Sequence, residues 1–100
     1  VEAQVTRLET EIDAMNSHIP ALESFILPAG SPLSAHLHVA RTVARRAERL
    51  IAELVATPGE KVSPAVLAYA NRLSDFLFVA ARRANGNGAD DVLWLPGANR

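Results

Sequence analysis

The chain has 100 residues, a formal net charge of −1 and no cysteine, so it holds one domain at most, exerts no global pull on nucleic acid or anionic membranes, and builds no disulfide framework or thiolate metal site. Apolar residues make up 49% of it and aromatics only 5%, with alanine supplying much of the difference, a balance that favours an all-α fold over a β-sandwich. Its apolar runs are short and broken by arginine, so no segment reads as a membrane span, no signal peptide is visible, and a cytoplasmic location is the expectation.

Val1, Val5, Leu8, Ile12, Met15 and Ile19 recur at steps of four and three. That is the period of a helix with one narrow apolar seam, and it predicts a first helix over about residues 1–19, ended by Pro20. Val1 is not an initiator and no capping residue stands before the helix, so further sequence is expected upstream. Residues 21–32 carry Pro28, Gly30 and Pro32 and read as a connector. Within it Phe25, Ile26 and Leu27 form an apolar triplet that a loop does not usually leave in water.

Ser31-Pro32 pairs a capping hydroxyl with a proline preset for a first turn. It predicts a second helix over 32–55, stopped by Thr57-Pro58-Gly59. Ser63-Pro64 repeats the device and predicts a third helix over 64–84. Asn85-Gly86-Asn87-Gly88 reads as a flexible turn. The tail beyond it carries Val92, Leu93, Trp94 and Leu95, which are placed to dock on the bundle.

On a wheel of about 100° per residue, Leu33, Leu37, Ala40, Val43, Ala44, Ala47, Leu50, Ile51 and Leu54 form one broad face of the second helix, predicted to pack on the other helices. Opposite it Ser34, His38, Arg41, Arg45 and Glu48 stand in a column at i+3 and i+4 spacing. A solvated face explains most such columns. Here the helix has four arginines and no lysine, and arginine's planar fork suits a carboxylate or phosphate. The column fits either an anion or an ion network between subunits, and by itself does not choose.

In the third helix Val66, Ala70, Leu73, Leu77, Ala80 and Ala84 mark a core face. Phe76, Leu77, Phe78 and Val79 are consecutive and therefore apolar on every side, which predicts cover from further sequence or a second subunit. Asn71, Asp75 and Arg82 fall near one another on a face flanked by Phe78. An arginine on a neighbouring helix is a simple structural partner for Asp75.

Other chemistry is poorly supported. His18, His36 and His38 lack carboxylates at metal-ligand spacing, and there is no glycine-rich phosphate loop. The basic run Ala44-Arg45-Arg46-Ala47-Glu48-Arg49 contains an acid within a neutral chain, which argues against nucleic acid.

Three segments carry a resemblance: Phe25-Ile26-Leu27-Pro28-Ala29-Gly30-Ser31, then Leu37-His38-Val39-Ala40-Arg41-Thr42-Val43-Ala44-Arg45-Arg46-Ala47-Glu48-Arg49, then Asn71-Arg72-Leu73-Ser74-Asp75-Phe76-Leu77-Phe78. In order and spacing they resemble the carboxyl-terminal half of the ATP:cob(I)alamin adenosyltransferases of the propanediol-utilisation type, with Ala29 standing where glycine is more usual. The resemblance implies that residues 1–100 are the carboxyl-terminal part of a five-helix, ferritin-like up-down bundle that assembles as a homotrimer. It implies ATP with Mg2+, and a reduced corrinoid, cob(I)alamin, as the second substrate.

By the same resemblance Arg45, Glu48 and Asn71 help hold ATP, with Arg45 near the phosphates. Arg41 makes an ion pair across a subunit boundary, Arg72 and Asp75 support the site, and Phe25 lies under the corrin ring. The family's Thr-Lys-x-Gly-Asp-x-Gly segment, which wraps the triphosphate, is absent from these residues, so they are expected to be inactive alone. A non-catalytic oligomerisation or adaptor bundle is the competing expectation.

Overall fold

The computed structural model describes residues 2–22 and 24–94; Val1 and Leu95, which the sequence assigns to the first helix and the tail, lie outside them. Three helices follow in order, α1 (Glu2–Asn16), α2 (Pro32–Ala56) and α3 (Pro64–Ala84). The starts of α2 and α3 fall where the sequence predicts because each is a local device. The Ser31 hydroxyl accepts the Ser34 N–H at 3.1 Å and the Ser63 hydroxyl accepts that of Ala65 at 3.3 Å, and a proline opens each first turn. α1 stops at Asn16, short of the expected Ile19. The chain tightens there, with His18 and Ile19 donating to the carbonyls of Met15 and Asn16 at 3.2 and 3.1 Å, as helix ends do when orphan carbonyls find i+3 partners.

α3 is the middle helix. α1 packs on one side of it and α2 on the other, and among the described residues α1 and α2 do not meet. Between α1 and α3 lies the apolar core: Met15, Ile19 and Val79, flanked by Ile12, Phe76, Phe78 and Ala80. Of the four consecutive apolar residues in α3, only Val79 is fully buried within this chain; Phe76, Leu77 and Phe78 are half-buried. Ala70, Ser74 and Ala81 are buried along one face of α3, small side chains that permit a close neighbouring axis.

α2 is turned from the wheel's prediction, so that its apolar face is split: Ala44 is buried and Leu37 and Ile51 are half-buried, but the rest of that face looks outward. Ser34 and His38, members of the polar column, are buried at 0% and 1% exposure, while Val43, Leu50 and Leu54 of the apolar face stand in solvent, Val43 at 64%. The physical reason is the partner available. α3 and the segments at its end offer Phe78 to His38 and the Ala29 carbonyl to the Ser34 hydroxyl. Amphipathicity separates two unlike faces of a helix but does not name the neighbour that each one meets. Val39 extends the exposed apolar stripe.

The connector is tied down at both ends. Leu27 N–H donates to the Val92 carbonyl at 2.6 Å and Trp94 N–H to that of Phe25 at 2.8 Å, so Ile26 and Leu93 form an antiparallel bridge. The tail therefore docks on the connector, and the Trp94 and Phe25 rings meet edge to face at 6.1 Å. Asn85, predicted to lie in a flexible turn, is instead 1% exposed. Its amide accepts the Ser31 N–H at 2.9 Å and donates to the Ala29 carbonyl at 3.1 Å and to Asp91 Oδ1 at 3.2 Å. Gly30 makes room for it: with φ +115°, and with a Cβ there overlapping the Asn85 amide, no other residue fits without a shift.

Candidate functional site

Between α2 and the N-terminal half of α3 lies an open groove of about 640 Å³. Ala52, Leu67 and Ala68 give it apolar walls, and Arg45, Glu48, Arg49, Asn71 and Arg72 give it polar ones. The spacing explains the convergence. Arg45, Glu48, Arg49 and Ala52 recur at i+3 and i+4 on one side of α2, as Leu67, Ala68, Asn71 and Arg72 do on α3. The three residues that the resemblance assigns to ATP, Arg45, Glu48 and Asn71, thus line one groove.

Within it Asn71 Nδ2 donates to Glu48 Oε2 at 2.9 Å, and Asn71 Oδ1 accepts from Arg72 Nη1 at 2.9 Å. The same Arg72 nitrogen reaches Asp75 Oδ2 at 3.0 Å, and its Nε stands 3.9 Å from Glu9 on α1. Arg72, itself a wall of the groove, thus braces Asn71, and Asp75 holds Arg72 from outside the lining. Asp75 takes its arginine from its own helix rather than from a neighbour. Arg45 and Arg49 have no carboxylate partner among the described residues and are exposed. With Arg72 paired to Asp75, Arg45 and Arg49 against the Glu48 carboxylate still leave the groove locally cationic, although the whole chain carries a formal charge of −1. An anion with a flat apolar portion meets complementary surface here.

Arg41, the next column member toward the N-terminus, is held on two sides. Its Nε donates to His38 Nδ1 at 3.4 Å, and its guanidinium carbon lies 5.6 Å from the centre of the Phe78 ring, within cation–π range. Burial, and secondarily the neighbouring Arg45, lower its pKa; as an arginine it stays charged at neutral pH. For His38, burial and then Arg41 push the pKa below its ordinary 6.5, with Asp91 acting weakly the other way. The imidazole is therefore neutral, which leaves Nδ1 free to accept. Nε2 is buried with no partner among the described residues.

Phe25 stands apart from the groove, on the connector, at 77% exposure. Arg82 lines one cleft with Asp75 and Phe78, on the face the wheel predicts, but it bonds to neither Asn71 nor Asp75. Its Nε pairs with Asp91 Oδ2 at 2.7 Å and its Nη1 donates to the Pro20 carbonyl at 3.0 Å. The buried carboxylate wins because it is supplied by a tail that a helical wheel does not contain. Arg49, Asn85 and Asp91 are the contributors that sequence reasoning missed. Arg49 is legible in retrospect, one helical turn beyond Arg45; the other two depend on contacts across more than fifty residues or on the tail.

The chain is similar to proteins of one kind. A family model described as cobalamin adenosyltransferase matches residues 1–84. A corrinoid adenosyltransferase of Mycobacterium tuberculosis is 54% identical over 99 residues, covering 99% of this chain and 50% of the relative. One from Bacillus subtilis is 48% identical over 91% of this chain and 47% of its own length. Among solved structures, a variant PduO-type ATP:corrinoid adenosyltransferase from Lactobacillus reuteri, complexed with cobalamin and ATP, superposes with a TM-score of 0.79 at 44% identity, covering 90% of this chain and 49% of that one. Another variant of that type from the same organism, complexed with ATP, gives 0.82 at 42% identity, covering 93% and 53%. The chain spans about half the length of the curated relatives that it matches, and over that span it belongs to the cobalamin adenosyltransferase family.

Proposed function

We propose that the protein of which these residues form part transfers the 5′-deoxyadenosyl group of ATP to the cobalt of cob(I)alamin, giving adenosylcobalamin and triphosphate. The observation that carries this reading is the groove in which Arg45, Glu48 and Asn71 converge. Solved relatives of the same fold are complexed with ATP and with cobalamin, which supports assigning the groove to the nucleotide.

In the reaction the Co(I) electron pair attacks the ribose 5′ carbon, a Co–C bond forms, and the C5′–O bond breaks with its electrons passing to the triphosphate. The protein's share is position and charge. Arg45, exposed and without a carboxylate partner, is free to take phosphate oxygens and to offset the charge that grows on the leaving triphosphate. Glu48 and Asn71, already hydrogen-bonded to each other, offer a fixed acceptor and donor to the polar edges of the nucleoside. Arg41, gripped through Nε and one ring face, keeps its outer nitrogens available for a carboxylate across a subunit boundary in a homotrimer. Phe25 presents an apolar ring suited to lie beneath a corrin and to keep a lower axial ligand away from cobalt.

Mg2+ belongs to this reading as the companion of the triphosphate. No group of three His, Cys, Asp or Glu side chains converges among the described residues, so the chain offers the ion no cage and no step runs through one; a hard cation that retains several waters is carried by phosphate oxygens. The family's five-helix bundle gives the exposed stripe of α2 its cover. No helix among the described residues is long and apolar enough to cross a membrane, which accords with the cytoplasmic location that we assign. The 100 residues alone are expected to bind ATP poorly. Normal turnover by them in an adenosylation assay would overturn that part.

The decisive test is Arg45→Ala in the intact protein. It should lower adenosylation without unfolding the bundle, and unchanged kinetics would remove the assignment. A non-catalytic oligomerisation module is the second reading, favoured by Val43, Leu50 and Leu54 standing in solvent. Calorimetric titration of the intact protein with ATP and with a corrinoid separates the two, because the module binds neither.

A further inference from the structure

Beyond the groove the molecule has a second polar cluster, made from parts distant in sequence. Arg82 and Asp91 form an ion pair at 2.7 Å with side chains only 9% and 2% exposed. Asp91 Oδ1 accepts from Asn85, whose amide also holds Ser31 N–H and the Ala29 carbonyl. The Ser31 hydroxyl donates to the Ala84 carbonyl at 3.1 Å. Arg82 reaches Pro20 at the start of the connector. Gly88 lies against the Arg82 guanidinium, and its N–H donates to the Arg82 carbonyl at 2.9 Å. Both ends of the connector and the root of the tail are thus fastened to the last turn of α3.

Such a cluster is expensive to bury and gains its stability only when every member is paired. Here each of the named groups has a partner. None of them touches the groove. What lies immediately downstream of Asp91 is the strand that pairs with the connector: Val92 accepts from Leu27, Trp94 donates to Phe25, and the Trp94 ring stands against that of Phe25. Phe25 itself is 77% exposed, so packing does not fix it. Its contacts are with the tail, which Asp91 fastens at its root and the Ser24 hydroxyl holds further on, donating to the Trp94 carbonyl at 3.2 Å.

We infer that Arg82, Asn85 and Asp91 are positioning residues: a buried clamp that seats the tail on the connector and thereby fixes where Phe25 presents its ring to the corrinoid. The inference rests on the reading of Phe25 as the residue beneath the corrin. It separates two halves of the active site. The nucleotide groove is built by α2 and α3 directly, whereas the corrinoid side is built through the clamp. Losing the clamp should therefore harm corrinoid use and spare ATP binding.

The variant Asp91→Asn tests this in the intact protein. The carboxylate now accepts from Arg82 with one oxygen and from Asn85 with the other; an asparagine has one oxygen, so one contact becomes donor against donor. In the ligand-free protein, amide hydrogen exchange at Leu27 and Trp94 should quicken about tenfold or more, with mid-α3 amides unchanged. In steady state, kcat/KM for cob(I)alamin should fall about tenfold, with KM for ATP within about twofold.

Ile26 and Leu93 form the non-hydrogen-bonded pair of the bridge, where Cα atoms stand about 4.5 Å apart, inside the range that a disulfide spans. These residues contain no cysteine of their own. Adding Ile26→Cys and Leu93→Cys to the Asp91→Asn protein and oxidising it should restore corrinoid kcat/KM, since the crosslink replaces what the clamp supplies. Unchanged exchange at Leu27 and Trp94, an equal rise in KM for ATP, or no rescue by the crosslink would each overturn the inference. Phe25→Ala serves as the control. If it leaves corrinoid kinetics untouched, the reading of Phe25 falls and the functional half of the inference with it, while the exchange data still judge the clamp by itself.

Discussion

The two polar clusters of this chain use the same residue types for opposite ends. At the groove, Arg45, Glu48, Arg49, Asn71 and Arg72 stand at least partly in water, and Arg45 and Arg49 lack a carboxylate partner among the described residues. At the far end of α3, Ser31, Arg82, Asn85 and Asp91 are mutually satisfied, with Arg82, Asn85 and Asp91 closed off from solvent. Unspent hydrogen-bonding capacity marks a surface that receives something. Spent capacity marks one that holds something. An arginine is thus functional or structural according to whether its fork is still open.

The largest effect should come from breaking the closed cluster. Arg82→Ala leaves the Asp91 carboxylate buried without its cation, and uncompensated buried charges of this kind cost about 3–5 kcal/mol. Urea unfolding of the intact protein reads it directly, and a loss below about 1 kcal/mol would mean that water reaches Asp91. Next is the open cluster. Arg45→Ala should lower kcat/KM by roughly tenfold to a hundredfold, the worth of one charged hydrogen bond, while stability moves by no more than about 0.5 kcal/mol because the side chain is exposed. An Arg45→Ala protein that melts early would erase the distinction between the two regions.

A smaller contrast compares the two helix starts. Ser63→Ala removes a cap alone and should cost about 1 kcal/mol. Ser31→Ala removes a cap and the bond to Ala84 and should cost more; equal losses would place Ser31 outside the closed cluster. The gentlest effect is a pH slope. His38 is neutral when folded, its pKa depressed by burial and by Arg41, whereas the unfolded chain protonates it near the ordinary 6.5. Its contribution is complete above that value and is lost as pH falls through 6.5 toward the lower folded pKa. Melting temperatures of the parent and of His38→Gln should therefore converge on acidification, and parallel curves would assign the pH dependence to other groups.

The elements were legible because their signals are local. Ser31-Pro32 and Ser63-Pro64 carry their caps within three residues, and both helices begin there. The groove was legible only in part: spacing put Arg45 and Glu48 in one column and Asn71 in a separate patch, the resemblance alone joined the three, and the packing of α2 on α3 brings Asn71 to Glu48. The facing of α2 was not legible, since a wheel ranks faces by polarity and His38 is buried by Phe78, forty residues away. Asn85 was invisible for a related cause. In a run of alternating asparagine and glycine it resembles any turn, and only Gly30 and Ser31, brought back by the fold, show that it is a core residue. Arg82 was placed on the right face, in one cleft with Asp75 and Phe78, but its partner sits on the tail, beyond the reach of periodicity.

The exposed stripe of α2 has a practical corollary. Val39, Val43, Leu50 and Leu54 line one side of a helix with little polar interruption, and apolar surface in water seeks any cover it can find. Produced by themselves, these hundred residues should light up environment-sensitive dyes, sediment with a mass that climbs as they are concentrated, and fall out of solution at modest ammonium sulfate. A crystallographer would meet that stripe first as a stickiness to be masked, and a protein engineer as the first place to introduce charge.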